Sequence, residues 1–425
     1  MNTQIQTETK DIYKTSRLLY IIEAAVEYFV TILVGGAYLA TLTEAAGMSD
    51  ALTGILSAFT SLGCAFQFVS IFLARKTPVK RWVIPTAIVS ELMFALIYLT
   101  PFLPFTSENK SLFLIIFLLG AHVLTQIIYS PKMNWFMSLI PNGTRGVFTA
   151  KKEMVSLIGG MVFTWGMGSL VDMLEESGNK EGGFILCGAT LLVLMLSHTL
   201  TLVFSREKPQ EGTKTPLREV LPELIRDKKF VGVAIVPVIW AVANNVAIPF
   251  YGSYQIKELG FSLGTVALIA AICSISRAVA SIPMGKLADR FSFTNMLCVC
   301  YGIQIVSFAV ATFTVPQNGL VFYTIQSVLH YVAMAGINSG QVNLIYDFVD
   351  PSRRTAALAV KNTAAGVLGF LATFVVSFLI TYIQTTGFSI FGQTVYAQQV
   401  VSAIGLVITV LLTLYLNVVV RRFKR

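Results

Sequence analysis

The sequence predicts an all-α integral membrane protein: twelve transmembrane helices arranged as two pseudo-symmetric six-helix bundles. Composition, the spacing of apolar segments and the sidedness of the basic residues predict it. With 55% hydrophobic and 12% charged residues and a mean hydropathy of +0.72, the chain is too apolar for a soluble protein, in which about a quarter of residues are charged. Twelve segments reach the roughly 20 apolar residues that cross a hydrocarbon core: Leu18–Leu42, Leu52–Leu73, Val83–Leu103, Leu112–Leu139, Phe148–Leu174, Phe184–Phe204, Phe230–Tyr254, Leu263–Leu287, Phe293–Val315, Leu320–Phe348, Ala356–Tyr382 and Val395–Val420. Of the 31 Lys and Arg residues, 25 then fall on one side. Only Lys110, Lys180 and Lys257 lie on the other, and Lys132, Arg277 and Lys361 lie inside spans. Short loops rich in Lys and Arg stay cytoplasmic, so both termini are expected in the cytoplasm of a multi-pass protein of the cell membrane.

Residues 1–17 form a polar tail. The apolar segment after it is too long for a signal-peptide core and lacks a small-residue cleavage site, so it is expected to remain as the first span. Residues 18–204 make the first bundle, punctuated by Pro101, Pro104, Gly143, Gly182 and Gly183. Residues 205–229 form a cytoplasmic linker. Within it Thr215-Pro216 reads as an N-cap and first-turn pair, followed by Leu217, Val220, Leu221, Leu224 and Ile225 at helical spacing. A basic opposite face makes this a short amphipathic helix on the membrane surface. Residues 230–420 make the second bundle and 421–425 a cytoplasmic tail. All five cysteines fall within apolar spans, a placement that favours structural thiols over a disulfide framework or a zinc site.

The halves repeat. At a shift of 209 residues Arg145 meets Arg354, Lys152 meets Lys361, Gly160 meets Gly369, Ser130 meets Ser339 and Asn134 meets Asn343; at 213, Gly47 meets Gly260 and Ser49 meets Ser262. Matches at a nearly constant shift in equivalent loops point to parallel internal repeats, an arrangement of secondary transporters.

Gly285-Lys286-Leu287-Ala288-Asp289-Arg290-Phe291, between the eighth and ninth spans, resembles the G-x-L-A-D-R motif of the major facilitator superfamily. Pro141-Asn142-Gly143-Thr144-Arg145-Gly146 resembles that family's P-x-x-x-R-G loop, with Asp350-Pro351-Ser352-Arg353-Arg354 as its second-half partner. The resemblance implies a conformational latch of Gly285, Asp289, Arg290, Arg145 and Arg354, in which Asp289 docks on the positive start of the fifth span. The first-half copy departs from the pattern: Arg75 stands where the acid belongs. There the basic residues read either as a lost latch or simply as topology anchors. The resemblance also implies that spans one, four, seven and ten line a central cavity.

Polar residues inside apolar spans follow that scheme. Glu23 and Glu27 share one face of the first span; the fourth has His122, Gln126, Lys132 and Asn134; the seventh has Asn244 and Asn245; the tenth has His330, Asn338, Gln341 and Asn343. Spans six, nine and twelve read as almost free of such groups, with Glu91 in span three an exception. Glu23, Glu27, Lys132 and Lys152 are expected to cluster, either as a proton-loading site with Glu27 as first carrier or as a static ion-pair network. His122 and His330 read as proton relays or as interhelical hydrogen bonds. Trp135, Trp240, Tyr251 and Tyr254 are candidate stacking surfaces, and Lys361 and Asn362 a further cavity pair. Arg277 is expected to pair with another helix, Asp347 being one candidate.

No phosphate-binding loop, zinc-protease motif or nucleophile elbow is present, so neither an ATP-driven machine nor an enzyme is read, and no cofactor or metal is expected. A net charge of +9 is explained by loops facing anionic lipid, not by nucleic acid. The expected function is secondary active transport of a small polar solute, sugar-like or an organic anion, by alternating access with protons as co-substrate, in a monomer. Proton-driven multidrug efflux is the alternative within transport, and a solute receptor without transport the alternative outside it.

Overall fold

The computed structural model describes residues 12–67, 69, 78–141, 145–208, 217–349, 354–387, 389–390 and 393–423. The helices of the first half are α1 (Lys14–Leu33), α2 (Gly36–Ala45), α3 (Asp50–Ser57), α4 (Phe59–Cys64), α5 (Lys80–Leu96), α6 (Ser107–Ser138), α7 (Arg145–Glu176) and α8 (Lys180–Phe204). After the connecting helix α9 (Leu217–Arg226) come α10 (Lys228–Asn245), α11 (Ile248–Ser253), α12 (Leu263–Arg290), α13 (Phe293–Thr312), α14 (Gly319–Phe348), α15 (Arg354–Thr386) and α16 (Ala397–Val418). Among the described residues eleven helical spans are long and apolar enough to cross a membrane. The segment read as the second span, Leu52–Leu73, is described as α3 and α4, and most of its residues beyond Gln67 lie outside the described ones. One departure from an all-helical chain is a small antiparallel ribbon, β1 (Ser389–Ile390) with β2 (Gln393–Thr394), formed after Gly387 ends α15 at φ +67°.

The repeated Gly and Ser residues have a local cause. Gly47 (φ +72°) and Gly260 (φ +66°) adopt the left-handed conformation that side chains disfavour. Two residues on, Ser49 and Ser262 cap α3 and α12, accepting from the Leu52 amide at 3.3 Å and the Thr265 amide at 3.1 Å. The same turn is thus written twice.

The first and seventh spans are both broken. α1 stops at Leu33, and Gly36 restarts the chain as α2 at φ +52°; α10 stops at Asn245 and α11 restarts at Ile248. A break frees backbone carbonyls that lipid cannot satisfy. Tyr98 donates to the Leu33 carbonyl at 2.6 Å, and Thr373 donates to the Asn245 carbonyl at 2.6 Å.

Packing repeats as well. α1 lies on α7 and α8 as α10 lies on α15 and α16; α5 lies on α6 and α8 as α13 lies on α14 and α16. One apolar core is built from Leu33, Leu39, Leu56, Leu114 and Leu118, another from Val233, Val236, Leu297, Tyr301 and Leu344. Between the halves, α7 meets α12, α3 and α4 meet α15, and α2 and α3 meet α11. Glycine lets these crossings close: a Cβ at Gly252 would stand 2.6 Å from the Gly36 carbonyl oxygen, and one at Gly366 2.5 Å from the Ser61 carbonyl oxygen.

Candidate functional site

The first half holds a linked set of charges inside its apolar packing. Lys132, on α6, sits between two carboxylates of α1, 2.6 Å from Glu23 and 2.8 Å from Glu27. The four-residue spacing on α1 aims both acids at one ammonium. Glu23 is 1% exposed at its side chain and Glu27 is 27% exposed, so Glu27 is the member that meets water. Behind them His198 of α8 bridges two acids, with Nε2 3.1 Å from Glu23 and Nδ1 hydrogen-bonded to Glu91 of α5.

That bridge constrains protons. A neutral imidazole offers one N–H and one lone pair, and a lone pair facing a carboxylate oxygen is repulsive. With both ring nitrogens against carboxylates, the Glu91–His198–Glu23 chain holds one proton more than a neutral ring and two carboxylates. Counting that proton and Lys132, three acids face two positive charges. Glu23, Glu27 and Glu91 thus share this wall with Lys132 and His198.

The cluster forms one wall of a cavity of about 1020 Å³. From the first half it is lined also by His122, Gln126, Tyr28 and Lys152, and from the second by Ser274, Arg277 and Ser281 of α12 and Asn338 of α14. The cavity begins at the Gly35–Gly36 break and runs toward the lysine- and arginine-rich side, where its lining includes the exposed Glu153, Ser281 and Ser339. His122 is buried, 3.5 Å from the Thr60 hydroxyl and edge-on to Phe94, and Gln126 accepts from Gln67 at 2.6 Å.

On the opposite side the halves are clasped together. The Asp50 carboxylate, where α3 begins, takes an ion pair from Lys257 at 2.7 Å and hydrogen bonds from Gln384 at 2.7 Å and from Ser253. Lys257 also donates to the Met48 carbonyl at 3.1 Å. Burial alone would raise the Asp50 pKa, but the Lys257 and Ser253 hydrogen bonds and the Lys257 charge outweigh it and hold the carboxyl below the usual aspartate range. Alongside, Asp172 of α7 accepts from the Leu263 amide at 3.1 Å and the Gly264 amide at 2.7 Å, capping α12 from the other half of the chain.

The sequence profile described as Major Facilitator Superfamily matches residues 21–373, and again 233–425. The chain belongs to the major facilitator superfamily. It is a membrane transporter and not an enzyme. No curated protein sequence matches the chain. Solved structures of superfamily transporters superpose over nearly its full length. The nucleoside transporter NupG does so with TM-score 0.67 at 17% identity, covering 96% of this chain and 100% of that one. The D-xylose-proton symporter gives 0.70 at 14%, covering 94% and 96%. The xylose transporter XylE from E. coli, in an inward open conformation, gives 0.64 at 13%, covering 93% and 94%. At such identities the likeness carries the fold alone.

The superfamily scheme does not place every expected residue in the cavity. Span seven was expected to line it, but its polar groups are spent in the closed junction and core. Asn245 accepts from Ser61 at 3.1 Å and donates to the Ala241 carbonyl at 2.8 Å. Trp240 packs on Tyr301 at 5.5 Å between ring centres, Tyr251 pairs with Ser402 at 2.8 Å, and the buried Asn244 Oδ1 has no partner among the described residues. Trp135 is fully buried, donating to the Arg206 carbonyl at 2.9 Å, and Tyr254 donates to the Thr314 carbonyl at 2.9 Å. Neither ring lines the cavity.

Other placements also differ. His330 pairs with Gln304 at 2.9 Å and Gln341 donates to Tyr301 at 3.1 Å, both away from the cavity, and Asn343 donates to its own helix at the Ser339 carbonyl. Lys361 is buried where α15 crosses α4, within electrostatic reach of Cys64, and neither it nor Asn362 lines the cavity. Lys152 lines the cavity but forms no ion pair among the described residues; its ammonium lies over the Tyr20 ring at 5.1 Å. Arg277 faces the cavity rather than a carboxylate.

Of the expected latch, Gly285 is exposed with open space around it, and Arg290 lies over Phe291 at 5.3 Å. The side chains of Arg145, Asp289 and Arg354, and that of Asn134, lie outside the described residues. The reading of span six as nearly free of polar groups is corrected by His198, one of the chain's three histidines and the only one that joins the charged cluster.

Proposed function

We propose that this transporter moves a small polar solute, sugar-like or an organic anion, by alternating access and couples the movement to protons through Glu27. In this reading the basic side is the cytoplasm of a cell membrane, the two halves are six-span bundles joined by residues 205–229, and a monomer is the working unit. The clasp at Asp50, with the cavity running toward the basic side, supports an inward-facing state.

The observation that carries the coupling is the charge imbalance beside water. Lys132 neutralises Glu23 and Glu27 only in part, and Glu27 is the exposed acid of the three. A proton arriving there neutralises the cluster and loosens the Glu27–Lys132 contact. Its departure restores that contact, so proton binding and the shape of the wall are linked. A greasy drug pocket fits less well, because one wall is charged and the other carries polar donors.

Proteoliposomes containing a pH-sensitive dye, challenged with a panel of sugars and organic acids, test the reading. Solute-dependent proton flux is expected in the wild type and not in Glu27→Gln. Solute uptake with no accompanying proton flux in the wild type overturns the coupling.

A further inference from the structure

Arg277 stands about half-way along α12, 14 residues from Leu263 and 13 from Arg290, or about 20 Å from either end at about 1.5 Å per residue. A charge at that depth is costly on a helix in a bilayer and is ordinarily retained with a partner. Arg277 has none. It lines the cavity and makes no hydrogen bond or ion pair among the described residues. Of the acids lining the cavity, Glu23, Glu27 and Glu91 are already engaged with Lys132 and His198, and Glu153 lies at the exposed end.

The surroundings extend the point. Ser274 is three residues before Arg277, on the same face of α12, and Asn338 of the adjoining α14 lines the same wall. Neither side chain makes a hydrogen bond among the described residues. A hydroxyl, an amide and a guanidinium with five N–H donors therefore face the cavity together. Tyr28, His330 and Tyr331 lie within electrostatic reach of the guanidinium. Gly160 lets the Tyr28 ring lie against α7, since a Cβ there would meet that ring at 2.2 Å. These neighbours bring no carboxylate.

We infer that Arg277, with Ser274 and Asn338, is the anchor for the oxyanion of the transported solute, a carboxylate or a phosphate ester. A planar fork of donors takes either oxyanion in bidentate fashion, and the polar body of the solute then reaches toward Gln126 and the Lys132 cluster. The inference rests on the proposed transport of a polar solute and narrows its class from sugars or anions to anions.

The test is thermal unfolding of the purified full chain with gluconate, glucose 6-phosphate, and neutral glucose and xylose at matched concentrations and ionic strength. A rise in Tm with gluconate or with glucose 6-phosphate, and none with the neutral sugars, is expected. Which of the two acts separates a carboxylate from a phosphate. The rise should vanish in Arg277→Gln and persist in part in Arg277→Lys, with the unliganded Tm of both variants recorded as the control for folding. A rise with neutral sugars that survives Arg277→Gln overturns the anion anchor and leaves polar-solute transport standing. No rise with any of the four overturns the anchor, and the proteoliposome proton flux then decides the broader reading separately.

Discussion

The two halves of this transporter share a pattern of packing but differ in what they bury. At the repeat shift of 209, Lys132 of the first half corresponds to Gln341 of the second. Lys132 is held by two carboxylates, whereas Gln341 is held by the Tyr301 hydroxyl. His198 bridges Glu91 and Glu23 in the first half, while His330 pairs through its Nδ1 with the neutral Gln304 side chain in the second. The scaffold tolerates either chemistry, so the charges of the first half are not needed to hold six spans together. The difference places the proposed proton coupling in the first half and leaves the second with a wall whose charged group is Arg277.

The sharpest way to break this contrast is to remove the polar end of each of the two equivalents. Lys132→Met leaves Glu23 unbalanced in dry packing and Glu27 unbalanced at the cavity wall and is expected to cost about 3–5 kcal/mol; Gln341→Met loses one neutral hydrogen bond, about 1 kcal/mol. Denaturation in detergent micelles, reading the two variants side by side, checks the ratio, and equal losses would dissolve the comparison. Adding Glu23→Gln and Glu27→Gln to Lys132→Met should restore much of the stability.

Histidine gives a smaller version of the same experiment. His198→Phe removes a protonated bridge, worth about 2–3 kcal/mol for hydrogen bonds to charged groups, against about 1 kcal/mol for His330→Phe. A larger loss in the second variant would mean that the neutral half depends more on its polar network than the charged one.

The junction opposite the basic side is where the halves act on each other. Asp50→Asn weakens three contacts to the second half, and a cysteine placed at the buried Ala37 should react with an impermeant thiol reagent about tenfold faster, equivalent to about 1.4 kcal/mol. The pH dependence follows from the depressed carboxyl of Asp50. The clasp is fully present above the ordinary aspartate value and is lost only as pH falls through the lower one. Labelling, normalised to the thiolate fraction at each pH, should therefore stay constant between pH 8 and pH 5 on that side, and a normalised rise near neutrality would place the sensing group elsewhere.

Gly252→Ala perturbs the same junction without touching a charge, because its Cβ would stand 2.6 Å from the Gly36 carbonyl oxygen and α2 and α11 must move apart to admit it. A severalfold rise in the same labelling rate is expected, whereas Gly285→Ala, with open space around it, should leave the rate unchanged.

Much of this architecture was legible because its causes are local. Hydropathy and the bias of Lys and Arg placed the spans, and a left-handed glycine followed by a capping serine made Gly47 and Gly260 detectable as a repeat. Glu23, Glu27 and Lys132 could be grouped because two of them lie on one turn of helix. His198 could not, since it meets Glu23 across 175 residues and a single polar residue scarcely alters the pattern of an apolar span. The fate of Asn245 and Tyr251 was hidden for a different reason. Polarity marks a residue as needing a partner, but whether that partner is a solute or the opposite half depends on which end of the cavity is shut.

Asp172 gives α7 and α12 a property of their own. It is tied to main-chain amides at the start of α12, so the neighbouring side chains are free to vary, except at Gly264, where a Cβ would come within 2.8 Å of the carboxylate. The family motif assigns Asp289, at the far end of the same antiparallel pair, to the start of α7. One pair of rods would then own a catch at each extremity, only one of them engaged at a time. A rocker of that kind moves least at its fulcrum, and at that depth stands Arg277, able to hold its cargo still while the compartments change places around it.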